Sequence, residues 1–70
     1  MNSMNTTDSV YNYVRHYITQ HGFSPSQREI GRDCYLAEST VRYHLKKLVA
    51  AGRINFDSGK VRTIGLPKDD

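Results

Sequence analysis

The stretch ESTVRYHLKKLVAAG, Glu38 to Gly52, decides the fold. At about 100° per residue, Val41, Leu45 and Leu48 fall on one face of a helix, while Ser39, Tyr43, Lys46 and Lys47 point the other way. One side requires a core. The other is polar and basic and carries a large aromatic ring, so its purpose must be sought outside the fold.

Working outward, the chain before this helix supplies two more. Thr7 or Asp8 is suited to cap a first helix in which Val10, Val14, Tyr17 and Ile18 recur at helical spacing, with Gly22 as its left-handed stop. Tyr11 extends the apolar face of that helix, whereas Tyr13 falls off it. GFSPSQREIGRD then interrupts with Gly22 and Pro25 and restarts at Ser26, where Ser26-x-x-Glu29 fits a capping box. This second helix is short, with Ile30 inward and Cys34 four positions on.

After Gly52 the apolar period changes from 3.6 to 2. Ile54 and Phe56 alternate with polar residues, DSGK marks a turn, and VRTIGL returns with Ile64 and Leu66 two apart, which reads as a hairpin. The expected fold is mainly α with a small β-hairpin: a winged helix-turn-helix of three helices plus a wing, with Lys60 near the wing tip. The expected layout is a disordered tail over residues 1–6, the domain over 7–66 and a polar tail over 67–70. The expected core is Val10, Val14, Ile18, Ile30, Val41, Leu45, Leu48, Ile54, Phe56 and Ile64.

Seventy residues make one small domain, and a domain of that size buries only about 60% of its unfolded surface. A single cysteine excludes an internal disulfide framework and suits a reducing cytosol. The N-terminus lacks the basic and apolar regions of a signal peptide, and no apolar run approaches the ~20 residues needed to cross a bilayer, so a cytoplasmic, non-membrane protein is expected. The net charge of +3 is uneven: residues 28–62 hold eight Lys or Arg against four Asp or Glu, and the remainder nets −1. A positive middle favours an anionic partner such as nucleic acid.

Two segments resemble a known family. GFSPSQREIG is similar to the G-aromatic-x-P-S-x-R-E-I stretch of LexA-type repressor DNA-binding domains. STVRYHLKKLVAAGRI is similar to their recognition helix running into the first strand of the wing. The resemblance covers about Ser9 to Leu66. It implies a bacterial, phage or mobile-element transcription regulator whose third helix enters the major groove of double-stranded DNA. By position, it implies base reading by Ser39, Thr40, Arg42 and Tyr43. It also implies backbone contacts from Ser26, Gln27 and Arg28 at the start of helix 2 and from the wing.

Three departures accompany the likeness. The self-cleaving peptidase domain of LexA repressors would begin where this chain ends, so self-cleavage is not carried over. The turn before helix 3 reads Cys34-Tyr35 where Leu-Gly is usual, so either the turn differs or Tyr35 is strained. Ala37 stands where Ser or Thr usually caps, which suggests a helix starting one residue later with Ser39 as its cap.

The chemistry of these side chains suits DNA, with an ordinary alternative for each. The planar fork of Arg42 can donate two hydrogen bonds to a guanine, or it can pair with Glu38 one turn back. Tyr43 can meet a thymine methyl or a phosphate, or anchor a partner protein through the same exposed face. Ser39 and Thr40 allow close approach to a groove, yet such residues start helices everywhere. Lys46, Lys47 and Lys60 suit phosphates or simply a solvated surface. Arg28 suits a phosphate at a helix N-terminus, or pairs with Glu29 as Arg32 can with Asp33. His44, beside the apolar face of helix 3, reads as a half-buried packed residue.

No enzyme, cofactor or metal is expected. No Cys or carboxylate set stands at metal spacing around His16 or His21. SGKV at Ser58 fails as a phosphate loop, because Ile54 replaces its first glycine and Val61 its Ser or Thr. No catalytic constellation stands out. The two function classes carried forward are a sequence-specific DNA-binding repressor and a protein-interaction module built on the Tyr43 face. A monomer, paired on an operator if at all, is expected, since one core uses the apolar positions.

Overall fold

The computed structural model describes residues 5–56 and 64–67. Three helices follow one another: α1 (Thr6–His21), α2 (Gln27–Cys34) and α3 (Glu38–Ala50). Each of the three packs against the other two.

The cap of α1 differs from the expectation of Thr7 or Asp8. Asn5 holds the position in extended conformation, its side chain accepting from the Asp8 N–H at 2.8 Å, so α1 begins at Thr6. Thr7 and Asp8 are turned to other uses. Thr7 Oγ1 is hydrogen-bonded to His44 Nδ1 at 2.8 Å, and Asp8 takes an ion pair from Arg53. The helix ends at Gly22 in the left-handed region, φ 80°, with its N–H on the Ile18 carbonyl at 2.8 Å.

The capping box of α2 forms as the spacing predicts. The Ser26 hydroxyl accepts from the Glu29 N–H at 3.1 Å, and the Ser26 N–H donates to Glu29 Oε1 at 2.9 Å. Its C-terminus resolves the question of the unusual turn. Tyr35 adopts φ 60°, ψ 47°, while the N–H groups of Tyr35 and Leu36 both bond the Gly31 carbonyl. A left-handed residue followed by this six-to-one bond is a Schellman stop, normally given to glycine. A side chain with a Cβ held there costs roughly 1–2 kcal/mol.

The glycine of this turn is needed at Gly31 instead. A Cβ on Gly31 would stand 2.6 Å from the Leu36 carbonyl oxygen and 3.6 Å from Val41 Cγ2. Leu36 can therefore fold back over α2 only because position 31 has no side chain. α3 starts at Glu38 with Ala37 in the cap position and no side-chain cap bond, so the expected late start with Ser39 as cap does not occur.

The core consists of Val10, Val14, Ile30, Val41, Leu45, Leu48, Ile54 and Ile64, all buried. Burial of each large aliphatic side chain contributes about 1.5–3 kcal/mol. Ile18 and Phe56, expected inside, are only half-buried against the edge of this cluster. Tyr13, expected off the core face, packs on the cluster and donates its hydroxyl to Asp33 of α2.

Beyond α3, Asn55 and Gly65 form one antiparallel bridge, exchanging two hydrogen bonds of 2.8 Å. The buried Ser24 hydroxyl accepts from the Ile64 N–H at 3.3 Å, tying that return segment to the α1–α2 loop. Of the hairpin expected over residues 54–66, this bridge is the part that falls among the described residues. Among them, no helix is long and apolar enough to cross a membrane.

Candidate nucleic-acid interface

α3 divides as its sequence pattern predicts. Val41, Leu45 and Leu48 are buried, and Ser39, Arg42, Tyr43, Lys46 and Lys47 are exposed. Thr40 is half-buried, about 100° round the helix from Ser39, and so lies on the flank of the outer face rather than its centre. The pairing of Arg42 with Glu38 is not made, and no other ion pair holds Arg42 among the described residues. Among the described residues nothing engages its guanidinium as an ion pair, which leaves its donors to an outside partner.

Tyr43 is 58% exposed. Its ring meets the His44 ring edge-on at 5.1 Å, and Lys47 Nζ lies 5.4 Å from its centroid. A cation over a ring face is attracted by the ring quadrupole. The contact limits the wandering of both side chains while leaving them on the surface.

α1 fixes the pose of α3 at two places. His44, half-buried, shares a hydrogen bond with Thr7. Arg53, just past the helix, places its guanidinium 3.9 Å from the Tyr11 ring centroid and its Nη1 2.9 Å from Asp8 Oδ1. Arg53 thus belongs to the scaffold. Sequence reading passed over it, because Asp8 lies 45 positions away and no local pattern links the two.

The first turn of α2 presents a different set. The oxygen of Ser26 serves the capping box, which leaves its hydroxyl proton to donate. Gln27 is half-buried, and its Oε1 is enclosed without a hydrogen-bond partner among the described residues. Arg28 is exposed and makes no ion pair among the described residues. Arg32, by contrast, is engaged with Asp33 at 3.1 Å. Lys60, expected at the wing tip, lies outside the described residues.

Away from α3, the Tyr13 hydroxyl and then Arg32 hold the Asp33 carboxyl below the usual carboxylate range. Burial, followed by Asp33, raises the Tyr13 phenol above its usual value. Burial, with Asp33 adding to it, also raises the Cys34 thiol, which favours its protonated form. The hydrogen bond from Tyr13 to Asp33 fastens α1 to α2. Among the described residues, no three His, Cys, Asp or Glu side chains converge as a metal site would require.

The arrangement is a helix clamped from behind with a polar, cationic outer face, a geometry able to read a groove. Residues 5–63 match the family described as the LexA DNA binding domain. The LexA repressor of Clostridium botulinum (strain Hall) is 41% identical over 60 residues, covering 84% of this chain and 30% of the relative. That of Staphylococcus aureus (strain Mu3) is 41% identical over 61 residues, covering 86% and 30%. The chain spans about 30% of the length of these relatives. With the matching segment running through all three helices, the chain belongs to the LexA DNA-binding domain family.

Proposed function

We propose that this chain binds double-stranded DNA sequence-specifically by placing α3 in the major groove, and that it represses transcription by doing so. The observation that supports this reading most is the outer face of α3, where Arg42 is exposed and in no ion pair among the described residues, on a helix whose inner face is buried. Its relatives are named repressors. Arg42 reads a guanine, Ser39 and Tyr43 contact neighbouring base edges, and Thr40 reaches the edge of the groove from its flank. Ser26, Gln27, Arg28, Lys46, Lys47 and Lys60 hold phosphates. The protein is a cytoplasmic monomer that pairs only on an operator with half-sites about one helical turn apart.

Duplex selection from a random pool followed by titration of variants tests the reading. Arg42→Ala should lose about 1–3 kcal/mol on the selected site and relax preference at one base pair. Lys46→Ala or Lys47→Ala should weaken all sequences alike and lower the slope of log affinity against log salt by about 0.9. Exposure of Tyr43 on the same face supports a second reading, a protein-interaction surface. Unchanged duplex binding by both Arg42→Ala and Tyr43→Ala at every salt concentration would replace the first reading with the second.

A further inference from the structure

Tyr35 combines two costs at one residue. It occupies the left-handed region at φ 60°, the one non-glycine among the described residues to have a positive φ, and it is 92% exposed. No hydrogen bond, ion pair or ring contact engages its side chain among the described residues. The strain of a Cβ at that φ is thus retained without any packing inside the domain to offset it. A return for the side chain has to be sought outside the molecule.

Chain geometry limits where. Tyr35 precedes Ser39, the first exposed residue of the α3 reading face, by four positions, and four residues of chain span at most about 14 Å. A helix N-terminus centred in a groove about 12 Å wide has a sugar–phosphate strand about 6 Å to either side. Tyr35 thus lies no farther than about 14 Å from the start of that face, a separation compatible with a side chain that meets the strand flanking the groove. Arg32 and Asp33 beside it are paired with one another. Glu38 sits in the first turn of α3, where the positive end of the helix dipole offsets its charge.

We infer that Tyr35 is a further DNA contact, its hydroxyl donating a hydrogen bond to a backbone phosphate beside the groove entered by α3. This rests on the DNA-binding reading above and adds to it a residue of the interhelical turn, which none of the expected contacts includes. A phenol is a neutral donor. It fixes the register of α3 on the duplex without displacing a counterion, so its signature differs from that of a lysine.

Two variants of the chain, titrated against the selected duplex and a random duplex over a salt series, test the assignment. Tyr35→Phe keeps the ring and the backbone strain and removes only the donor. It should keep the wild-type Tm and bind about three- to tenfold more weakly on both duplexes, with an unchanged salt slope. Tyr35→Gly should move stability and binding in opposite directions, raising Tm by about 2–6 °C as the strain is released while losing at least as much affinity. Full affinity in Tyr35→Phe, alongside normal loss in Arg42→Ala, would overturn the phosphate contact and leave the DNA-binding reading standing, with a protein surface as the other use of the side chain. Failure of the wild-type chain to bind any duplex would instead overturn the reading on which the inference rests.

Discussion

Replacement of Gly31 by alanine sets two effects of known size against each other. Alanine favours a helix over glycine by about 1 kcal/mol, so on local grounds the variant should be more stable. The added methyl, however, would stand 2.6 Å from the Leu36 carbonyl oxygen, and separations under 3.0 Å are essentially never tolerated. That oxygen belongs to the backbone of a turn held by the Leu36 N–H on the Gly31 carbonyl at 2.8 Å, so it cannot rotate away. The turn must open by about 0.4 Å or more, and the methyl also meets Val41 Cγ2 at 3.6 Å, an ordinary contact. Overpacking of a close-packed site costs about 1–3 kcal/mol, and a clash of backbone with a rigid methyl belongs at the upper end. The net expectation is a loss of about 2 kcal/mol, or roughly 8–16 °C in Tm for a domain of this size. Urea and thermal unfolding followed by far-ultraviolet circular dichroism measures it. A variant as stable as the parent, or more so, would show that the turn relaxes freely and that its closeness is not what restricts position 31.

Three further outcomes are expected. Leu45→Ala, at a fully buried site in the centre of the core, should lose about 2–5 kcal/mol, a large share of what so small a domain possesses, and an unchanged Tm would contradict the core assignment. Ser26→Ala removes the oxygen that accepts from Glu29 and should cost about 0.5–2 kcal/mol by urea titration; no loss would mean that the capping box contributes nothing. Tyr13→Phe should reveal a stability difference from the parent that depends on pH at both ends. The lowered Asp33 carboxyl makes the contribution complete above about pH 4 and diminishing as pH falls below it, and the raised Tyr13 phenol makes it complete below about pH 10 and diminishing above. A difference that stays level from pH 3 to pH 11 would refute the coupling.

What the sequence made legible were features written in near neighbours. The helical stripes of Val10 and Val14 and of Val41, Leu45 and Leu48, the stop at Gly22 and the box Ser26-x-x-Glu29 each depend on residues one turn apart, and each is found. The start of α1 was not legible, because Asn5, Thr6, Thr7 and Asp8 are all suitable caps and the choice is made elsewhere. Thr7 and Asp8 are drawn to His44 and Arg53 across the fold, which leaves Asn5. The inward turn of Tyr13 had the same origin, its partner Asp33 being 20 positions away. On the candidate site, exposure of Ser39, Tyr43, Lys46 and Lys47 followed from periodicity alone. Thr40 did not, since it sits where the two faces meet and a small change in helix rotation decides its burial.

The ties from α1 to His44 and Arg53 have a consequence for dissection. The pair α2–α3 contains the turn and the outer face, and on paper could be excised as a minimal reading unit. In that fragment His44 would lose Thr7, Arg53 would lose both its carboxylate and its ring, and Val41, Leu45 and Leu48 would face water where Val10 and Val14 had been. The outer face would keep its chemistry and lose its pose. The pose of that face therefore depends on the fold from the first turn of α1 to the return segment at Ile64 and Gly65, and a shorter peptide would retain the letters of the motif without the packing that aims them.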